Sequence, residues 1–449
     1  MRIKEIIVNK LFGLFDHKIP FKLADRITIM YGPNGVGKTV LLKMLNAIFN
    51  AHYRDLRQIP FKELRIEFDD RSKLTVHKSN QRAESDINDP KRIMKQELVF
   101  ELSRPRSKVL SYTVKKTSRR EIHFPLSIID REINGLERIG TETWLFMPTQ
   151  EKLTLDEVLD RFSNQLPLPL LKEKEKAEPE WLSEIRKAIP VRFIETQRLL
   201  TFSYSRRHRD FENPAMVPSV VNYSEELASA IQTKLAEYAT LSQSLDRTFP
   251  TRLVKSASSN ITLEQLRTKL AALEDKRSRL MAAGLLDKEK EIDFQELQKI
   301  TETNRNVLSV YIEDVGKKLS VFDELTNKID LLIKIINSRF LYKKLSIDKK
   351  EGFIFRNEDG DILQPSGLSS GEQHELVLLY ELLFKVSRNT LILIDEPELS
   401  LHVVWQQQFL KDLKDIIDLA GFDVLIATHS PQIIHDRWDL TVELKGPQK

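Results

Sequence analysis

A phosphate-binding motif constrains this chain more than any other part of its sequence. Residues 32–39 read Gly-Pro-Asn-Gly-Val-Gly-Lys-Thr and match the pattern G-x-x-x-x-G-K-S/T at every position. Residues 26–31 predict a buried strand before the motif, and residues 39–49 carry apolar residues at helical spacing after it. Because the motif needs a strand before it and a helix after it, this context favours a nucleotide site over an ordinary glycine-rich turn.

The residue types of the motif explain how it would hold phosphate. Small residues let successive backbone N–H groups surround phosphate oxygens, and the following helix adds its positive end. Lys38 is expected to reach the β- and γ-phosphates, and Thr39 to place its hydroxyl on Mg²⁺. The nucleotide contacts predicted from the motif are Asn34, Gly35, Val36, Gly37, Lys38 and Thr39.

Composition excludes several classes of site. The 449 residues contain no cysteine, which excludes disulfides, thiol catalysis and cysteine-ligated zinc or iron–sulfur clusters. The 70 basic and 66 acidic residues nearly balance, so net charge alone does not indicate nucleic-acid binding. No secretory pattern begins the chain, and no apolar run approaches the length of a membrane span. We expect a soluble, cytoplasmic protein without membrane contact.

Alternating strands and a basic cluster occupy the first part of the chain. Residues 64–68 and 74–77 alternate across a turn and predict a β-hairpin, and later alternating stretches predict a small antiparallel lobe. Basic side chains between these strands would suit phosphates of DNA or RNA, although a solvated surface is the more common role of such a cluster. They are Arg104, Arg106, Lys108, Lys115, Lys116, Arg119 and Arg120.

Long helices are predicted in the middle of the chain. Leucines recur at helical spacing between residues 263 and 280, and a second apolar seam runs from residue 308 to residue 336. We expect these helices to pair antiparallel, with a tip near residues 282–284 and a break or kink at Pro250. A helical core domain is the alternative. The predicted organisation is an N-terminal lobe over residues 1–200, a helical insertion over 201–345 and a C-terminal lobe over 346–449.

Two strands of the C-terminal lobe end in candidate catalytic residues. Residues 390–394 form a continuous apolar strand that ends in Asp395 and Glu396. Buried parallel strands deliver carboxylates at their carboxyl ends, where Asp395 would hold Mg²⁺ and Glu396 would orient or deprotonate the attacking water. A strand over residues 424–428 ends in His429, which would sense the γ-phosphate, although a lone histidine is more often structural.

A segment containing serine and glycine, residues 368–373, precedes a leucine-rich helix. A serine hydroxyl, a glycine N–H and a helix N-terminus together form an anion-binding cap. Such a cap has no obvious use within one nucleotide site, but between two subunits it would cover the γ-phosphate held by the other. A plain helix N-cap is the alternative. The nucleotide contacts predicted here are Ser369, Ser370, Gly371 and Glu372.

The order of these motifs resembles that of ATP-binding-cassette (ABC) ATPases. Five motifs occur in sequence: the phosphate loop, Gln197 after a strand over residues 190–194, residues 368–372, Asp395-Glu396 and His429. The resemblance covers residues 1–200 and 346–449, and the position of the helical insertion is similar to that in SMC and RecF relatives. It implies an α/β fold, an ABC-ATPase head with a mixed-sheet core and an antiparallel β lobe, with an inserted antiparallel helical or coiled-coil arm.

The resemblance also implies an activity and a role for each motif. ATP would be hydrolysed in a head-to-head dimer or a higher oligomer. Glu396 would serve the water, His429 would sense the γ-phosphate, and one subunit would supply Ser369 and Gly371 to the nucleotide of the other. The residues that would hold ATP and Mg²⁺ are Lys38, Thr39, Gln197 and Asp395, of which Thr39, Gln197 and Asp395 would lie nearest the metal.

A narrower similarity concerns the biological role. Residues 397–402 and 428–431 look closest to OLD-like ATPases, and the overall plan is similar to the ATPase subunits of the PARIS, Septu and retron anti-phage systems. This implies a sensor or scaffold that controls a separately encoded toxin or nuclease when a phage product binds. The chain has no Cys-x-x-Cys hook, which argues against zinc-hook repair ATPases, and no TOPRIM-like domain follows, which argues against a self-contained OLD nuclease.

Two other functions are considered. A DNA-repair or chromosome clamp related to RecF and SMC would trap DNA on basic patches that include Arg206, Arg207 and Arg209. A small-molecule P-loop kinase is the more distant alternative, because it leaves residues 369–371 without a role. A clamp should show salt-dependent DNA binding and DNA-stimulated ATPase activity, whereas a scaffold should copurify with the product of a neighbouring gene.

Overall fold

A computed structural model describes most of the chain in two compact units. The first unit comprises Met1–Arg198, Phe202–Met216 and Val386–Lys449, and the second comprises Leu199–Thr201 and Val217–Lys385. The residues that the structure describes are 1–80, 96–114, 126, 129, 133, 135–141, 143–147, 151–155, 158, 178–194, 200–203, 215–255, 261–287 and 302–446.

The strands are numbered along the chain. They are β1 (Ile3–Leu11), β2 (Phe15–Pro20), β3 (Ile27–Tyr31), β4 (Glu63–Phe68), β5 (Lys73–Asn80), β6 (Gln96–Ser103), β7 (Leu110–Val114), β8 (Leu136–Arg138), β9 (Thr143–Phe146), β10 (Glu151–Thr154), β11 (Val191–Ile194), β12 (Leu200–Ser203), β13 (Ala215–Pro218), β14 (Lys343–Asp348), β15 (Gly352–Asn357), β16 (Ile362–Leu363), β17 (Leu391–Asp395), β18 (Asp423–Thr428) and β19 (Thr441–Glu443).

The helices are numbered in the same way. They are α1 (Lys38–Phe49), α2 (Tyr53–Gln58), α3 (Glu180–Ala188), α4 (Ser219–Lys255), α5 (Leu263–Ala282), α6 (Glu302–Ser320), α7 (Asp323–Arg339), α8 (Ser370–Phe384), α9 (Val403–Gln406), α10 (Phe409–Ala420) and α11 (Pro431–Ile434). Helices α4 to α8 and the sheet β14-β15-β16 belong to the second unit.

A parallel five-stranded sheet positions the candidate site of the first unit. Its order is β11-β17-β18-β3-β19, and every neighbouring pair is parallel. Continuous apolar runs suit a parallel sheet because both of its faces are covered, and the first four residues of β17 are buried. Since parallel strands end at the same edge, the segments that follow β3, β17 and β18 lie side by side. The predicted site residues of the first unit leave the sheet at this edge.

An antiparallel six-stranded sheet, in the order β2-β1-β4-β5-β6-β7, is the larger β element of the same unit. The predicted hairpin is β4–β5, in which Leu64 pairs with Val76. Helix α1 begins directly after the phosphate loop, and its buried side chains share one core with residues of both sheets, including Ile66 of β4 and Leu393 of β17. This packing fixes where α1 begins and so anchors the end of the loop.

Ion pairs show the relative directions of four helices of the second unit, taken as two pairs. Helices α4 and α6 run antiparallel, because contacts that advance along one helix retreat along the other. Helix α5 runs parallel to α7, because their ion pairs advance along both helices together. The pairs are Asp246–Lys318 and Arg252–Asp314 for α4 with α6, and Lys276–Asp323 and Arg279–Asp330 for α5 with α7.

The predicted antiparallel pairing of residues 263–280 with residues 308–336 is therefore wrong in direction. The apolar seams do meet, since Leu266, Leu270 and Ile312 form one buried cluster. The period of a seam shows which face of a helix packs but not which way the partner runs, and the antiparallel partner of α6 is α4. The second seam is also divided into α6 and α7, with Val321 and Phe322 between them.

The turn after α5 lies against strand β14 and is not a free tip. Gly284 has a φ of +74°, and a Cβ at this position would come within 2.0 Å of the Ile347 carbonyl oxygen. Only glycine permits both this conformation and this close approach. Helix α4 runs through Pro250 to Lys255, so the outgoing helix does not end at the proline.

The prediction of an α/β fold with an antiparallel β lobe and inserted long helices is confirmed. The division at residues 200 and 345 stays a prediction; in the structure, residues 346–385 fall in the same compact unit as the long helices. Within the described part of the chain, no helix combines the length and the apolar character that crossing a membrane requires.

Candidate nucleotide-binding site

The phosphate loop lies between β3 and α1, as the motif predicts. Gly35 and Gly37 have φ values of +86° and +96°, a region that glycine adopts without the strain of a side chain. Gly37 is the N-cap residue of α1 and provides no side-chain cap. The first N–H groups of the helix therefore have no capping side chain and are left for a ligand, and the positive end of the helix favours an anion there.

A buried histidine supports the loop from strand β2. His17 is 4% exposed, and its Nε2 lies 2.8 Å from the carbonyl oxygen of Val36. Because a carbonyl oxygen only accepts, Nε2 must carry the proton. This hydrogen bond ties the Val36 carbonyl of the loop to strand β2. The His17 ring also stacks on the ring of Phe15. The role of His17 is not predictable from the sequence, because no spacing rule connects a strand residue to a loop carbonyl nineteen positions later.

Replacing Gly32 by alanine is expected to destabilise the protein by about 1–3 kcal/mol, because the added Cβ overpacks a close backbone contact. That Cβ would lie 2.5 Å from the Leu444 carbonyl oxygen, which cannot move as a side chain end can. Urea unfolding measures the effect, with Gly446→Ala as the control, since a Cβ at Gly446 meets nothing within 4 Å. Equal unfolding midpoints for the two variants would show that the contact at Gly32 is not tight.

The ammonium group of Lys38 folds back over the phosphate loop. Its Nζ donates to the carbonyl oxygens of Gly32 at 2.8 Å and Pro33 at 3.0 Å, and the residue is only 6% exposed. Burial lowers the pKa of this ammonium, and three carboxylates oppose the shift: Glu396, Glu398 and Asp395. Lys38 thus places a positive charge between the phosphate loop and the carboxylates at the strand ends.

A hydrogen bond joins the phosphate loop to the end of β17. Thr39 Oγ1 donates to Asp395 Oδ1 at 2.9 Å. Burial raises the pKa of Asp395, the Thr39 hydroxyl lowers it, and the Glu396 carboxylate raises it. Mg²⁺ takes one or two protein oxygens and completes its shell with phosphate and water oxygens, so this pair fits the ion. Among the described residues, no cluster of three or more histidine and carboxylate side chains offers a metal site.

Glu396 leaves the sheet edge through a left-handed backbone. Its φ of 43° is uncommon for a residue with a side chain, and such strain is concentrated at functional sites. The Glu396 N–H donates to the Ala427 carbonyl oxygen at 2.8 Å, so the ladder between β17 and β18 continues to this point. Pro397 then begins a 3-10 turn. The backbone therefore turns at the residue predicted to serve the water.

His429 follows β18 and lies between two glutamates. Its Nδ1 is 3.2 Å from Glu398 Oε1 and 3.7 Å from Glu396 Oε1, and its side chain is 43% exposed. Glu398 is 8% exposed, and the same Oε1 accepts the Thr428 hydroxyl at 2.7 Å and the His429 N–H at 3.1 Å. The role of Glu398 is not predictable from the sequence, because its contact with residue 429 spans thirty-one residues and joins the segments after two different strands.

Residues 369–372 lie in the second unit, at the N-terminus of α8. Ser369 is the N-cap residue; its hydroxyl accepts the N–H of Glu372, whose carboxylate accepts the Ser369 N–H at 2.8 Å. Lys343 Nζ holds the same carboxylate at 2.7 Å. The capping interpretation is therefore correct for Ser369 and Glu372. It does not explain Gly371, because a Cβ at that position would meet no atom within 4 Å.

The structure thus forms two groups of predicted site residues. The first unit brings Lys38, Thr39, Asp395, Glu396 and His429 to one edge of the parallel sheet, and the second unit holds Ser369, Ser370, Gly371 and Glu372 at one helix end. Predicted residues that lie outside the described residues, and whose roles stay predictions, are Gln197, Arg206, Arg207, Arg209, Lys115, Lys116, Arg119 and Arg120.

Most of the chain, including both groups of predicted site residues, matches one protein family. The AAA_15 family, described as an AAA ATPase domain, matches residues 1–434. The chain belongs to this family. The AAA ATPase domain therefore includes the phosphate loop, the long helices and the residues at the ends of β17 and β18, so the expectation of an ATPase is confirmed at the level of the family.

The chain is similar over a short stretch to a phage protein, and it aligns with the solved heads of two SMC proteins. Over 69 residues it is 36% identical to Protein ea59 of Escherichia phage lambda, a match over 15% of this chain and 13% of that protein. The Smc head of Pyrococcus furiosus, bound to the C-terminal domain of ScpA, aligns over 100% of this chain and 94% of its own at 12% identity and a TM-score of 0.33. The SMC head of Thermotoga maritima aligns over 97% and 91%, at 11% and 0.31.

Proposed function

We propose that this AAA ATPase domain binds ATP with Mg²⁺ and hydrolyses it. The observation that carries the proposal is the hydrogen bond between Thr39 and Asp395, which joins the phosphate loop to the strand end that carries Glu396. Phosphate release from ATP tests it, in the presence of Mg²⁺ and after its removal with EDTA. We expect release that requires Mg²⁺, and the proposal fails if the full chain releases no phosphate.

The residues of the first unit have two roles in the proposed reaction, phosphate binding and water activation. The N–H groups of the loop and the Lys38 ammonium offset phosphate charge, which is the main requirement of phosphoryl transfer. Thr39 and Asp395 would hold Mg²⁺, which supplies further charge stabilisation when bound. Glu396 follows Asp395 at the strand end, where its carboxylate would orient the attacking water and accept its proton.

We also infer that ATP joins two copies of the chain, with residues 369–372 of one copy covering the nucleotide of the other. Gly371 supports this inference. Gly371 is the second residue of α8, where backbone N–H groups have no partner within the helix, and a Cβ there would meet no described atom within 4 Å. Close approach from outside explains a glycine at such a position. A second copy with ATP in its phosphate loop is the partner that the resemblance to ABC ATPases implies.

Replacing Ser369 by arginine is expected to abolish association that depends on ATP, because the larger side chain would occupy the space that the second copy needs. Light scattering would compare Glu396→Gln, in which ATP is expected to persist, with the same variant carrying Ser369→Arg. With ATP, we expect the mass of Glu396→Gln to double and the mass of the variant that also carries Ser369→Arg to stay unchanged. Ser366→Arg, at an exposed position three residues earlier, is the control. Equal association in all three would exclude residue 369 from the contact.

We further infer that the assembly is the sensor or scaffold of an anti-phage system and controls a separately encoded toxin or nuclease. The similarity of residues 397–402 and 428–431 to OLD-like ATPases supports this role. Copurification with the products of adjacent genes tests it, comparing the native chain with Glu396→Gln. A stoichiometric partner whose retention changes between the two supports the scaffold. No partner, with DNA retained by Glu396→Gln, would instead support the repair or chromosome clamp.

A further inference from the structure

Glu398 is a buried carboxylate that the proposed hydrolysis does not use. Its Oε1 accepts the Thr428 hydroxyl and the His429 N–H, whereas its Oε2 is buried and has no hydrogen-bond partner among the described residues. Burying a carboxylate is costly unless it is paired and hydrogen-bonded. A neutral side chain could accept both hydrogen bonds at lower cost, so a carboxylate at position 398 calls for a further explanation. That explanation lies in its contact with the His429 ring.

The contacts of Glu398 Oε1 determine which nitrogen of His429 carries a proton. This oxygen already accepts two hydrogen bonds, at 2.7 Å from the Thr428 hydroxyl and at 3.1 Å from the His429 N–H. His429 Nδ1 lies 3.2 Å from the same oxygen, and because a carboxylate oxygen presents only lone pairs, this contact is favourable when Nδ1 carries the proton. In a neutral imidazole with a proton on Nδ1, the other nitrogen, Nε2, accepts; it donates only when the ring is an imidazolium.

We propose that Glu398 is a positioning residue that holds His429 in the Nδ1–H form, with the ring between Glu396 and Glu398. The inference rests on the proposed ATP hydrolysis, in which His429 senses the γ-phosphate, and it adds a chemical condition to that role. A phosphate oxygen is an acceptor, so His429 can bind it through Nε2 only as an imidazolium. Glu398 thus supplies the negative charge that accompanies the sensing form, and it leaves Nε2 as the nitrogen for the nucleotide.

A structural role alone would make different demands on residue 398. It would require an acceptor for the Thr428 hydroxyl and the His429 N–H, and a glutamine oxygen can serve both. The positioning role requires a carboxylate, because hydrogen bonds to a charged acceptor are roughly twice as strong as those between neutral groups. Glu398→Gln therefore separates the two roles while keeping the size of the side chain.

The tautomer of His429 can be observed in the unaltered protein. Selective ¹⁵N labelling of the nine histidines, with His429→Asn to assign the signal, distinguishes a protonated Nδ1 from a protonated Nε2 by NMR. We expect His429 with its proton on Nδ1 when the ring is neutral. A proton on Nε2 alone would overturn the proposal. The NMR measurement of the tautomer does not depend on ATP hydrolysis. It therefore tests the positioning role of Glu398 even if the chain is not an ATPase.

The effect on turnover is tested with Glu398→Gln and a matched control. We expect the phosphate release rate to fall roughly 10-fold or more, with ATP affinity unchanged, because loss of the carboxylate partner of a functional histidine has effects of this size. Glu443→Gln, at an exposed position of the same unit, should keep the native rate. A Glu398→Gln variant that unfolds at the native temperature and releases phosphate as fast as Glu443→Gln would overturn the proposal.

Discussion

Replacing Glu396 by glutamine is expected to lower ATP turnover by roughly 10²- to 10⁴-fold and to leave ATP binding intact. Glutamine has nearly the same shape, so it can keep the left-handed backbone that turns residue 396 out of the sheet edge. Its amide cannot accept a proton from the attacking water. The Thr39–Asp395 pair and Lys38 are unchanged, so the nucleotide should bind as before. Phosphate release at saturating ATP and calorimetric titration with ATP measure the two quantities.

The control for this variant is Glu180→Gln, which removes an exposed carboxylate from the first turn of α3. It should turn over ATP at the native rate. A Glu396→Gln variant that keeps more than a third of the native turnover would remove Glu396 from the role of the group that activates water. A variant that loses ATP affinity instead would place Glu396 among the binding residues.

Replacing Lys38 by alanine is expected to weaken ATP binding by about 2–5 kcal/mol, roughly 30- to 4,000-fold in the dissociation constant, as the loss of one partner of a buried charge pair usually does. The residue is only 6% exposed, so its charge acts with little screening by water. Its loss would also remove a positive charge that interacts with the carboxylates of Asp395, Glu396 and Glu398.

Calorimetric titration of the full chain with ATP and Mg²⁺ measures this loss. Lys62→Ala, which removes an exposed lysine of the same unit, should bind ATP like the native chain. If Lys38→Ala bound ATP within about threefold of the native chain, the carbonyl contacts of Lys38 with Gly32 and Pro33 would be its main role and the loop would not depend on its charge.

The sequence predicts that the first group of residues meets at one edge of the parallel sheet, and the physical reason is definite. Asp395 and His429 each follow a continuous apolar run, and such runs become neighbouring strands of a parallel sheet that end at one edge. The phosphate loop follows a third strand of the same sheet. Local patterns therefore place these residues together without any knowledge of the distances between them.

The direction of the helices and the contacts around the site were not predictable in this way. The apolar seam between residues 263 and 280 shows which face of the helix packs, but that face can contact a parallel or an antiparallel partner. The direction follows from contacts in the fold such as the Lys276–Asp323 ion pair. The bond from His17 to Val36 and the contact of Glu398 with His429 join different elements. Their residue types are common, and only the fold brings them within hydrogen-bond distance.

The measurement that tests the central claim most directly is the nucleotide content of the purified chain after incubation with ATP and Mg²⁺, for the native chain and for Glu396→Gln. If the edge of the parallel sheet is an ATPase site, the native chain converts ATP to ADP and phosphate, and the variant retains ATP bound in stoichiometric amount. Intact ATP with both chains, or ADP formed at equal rates by both, would contradict the assignment of hydrolysis to this site.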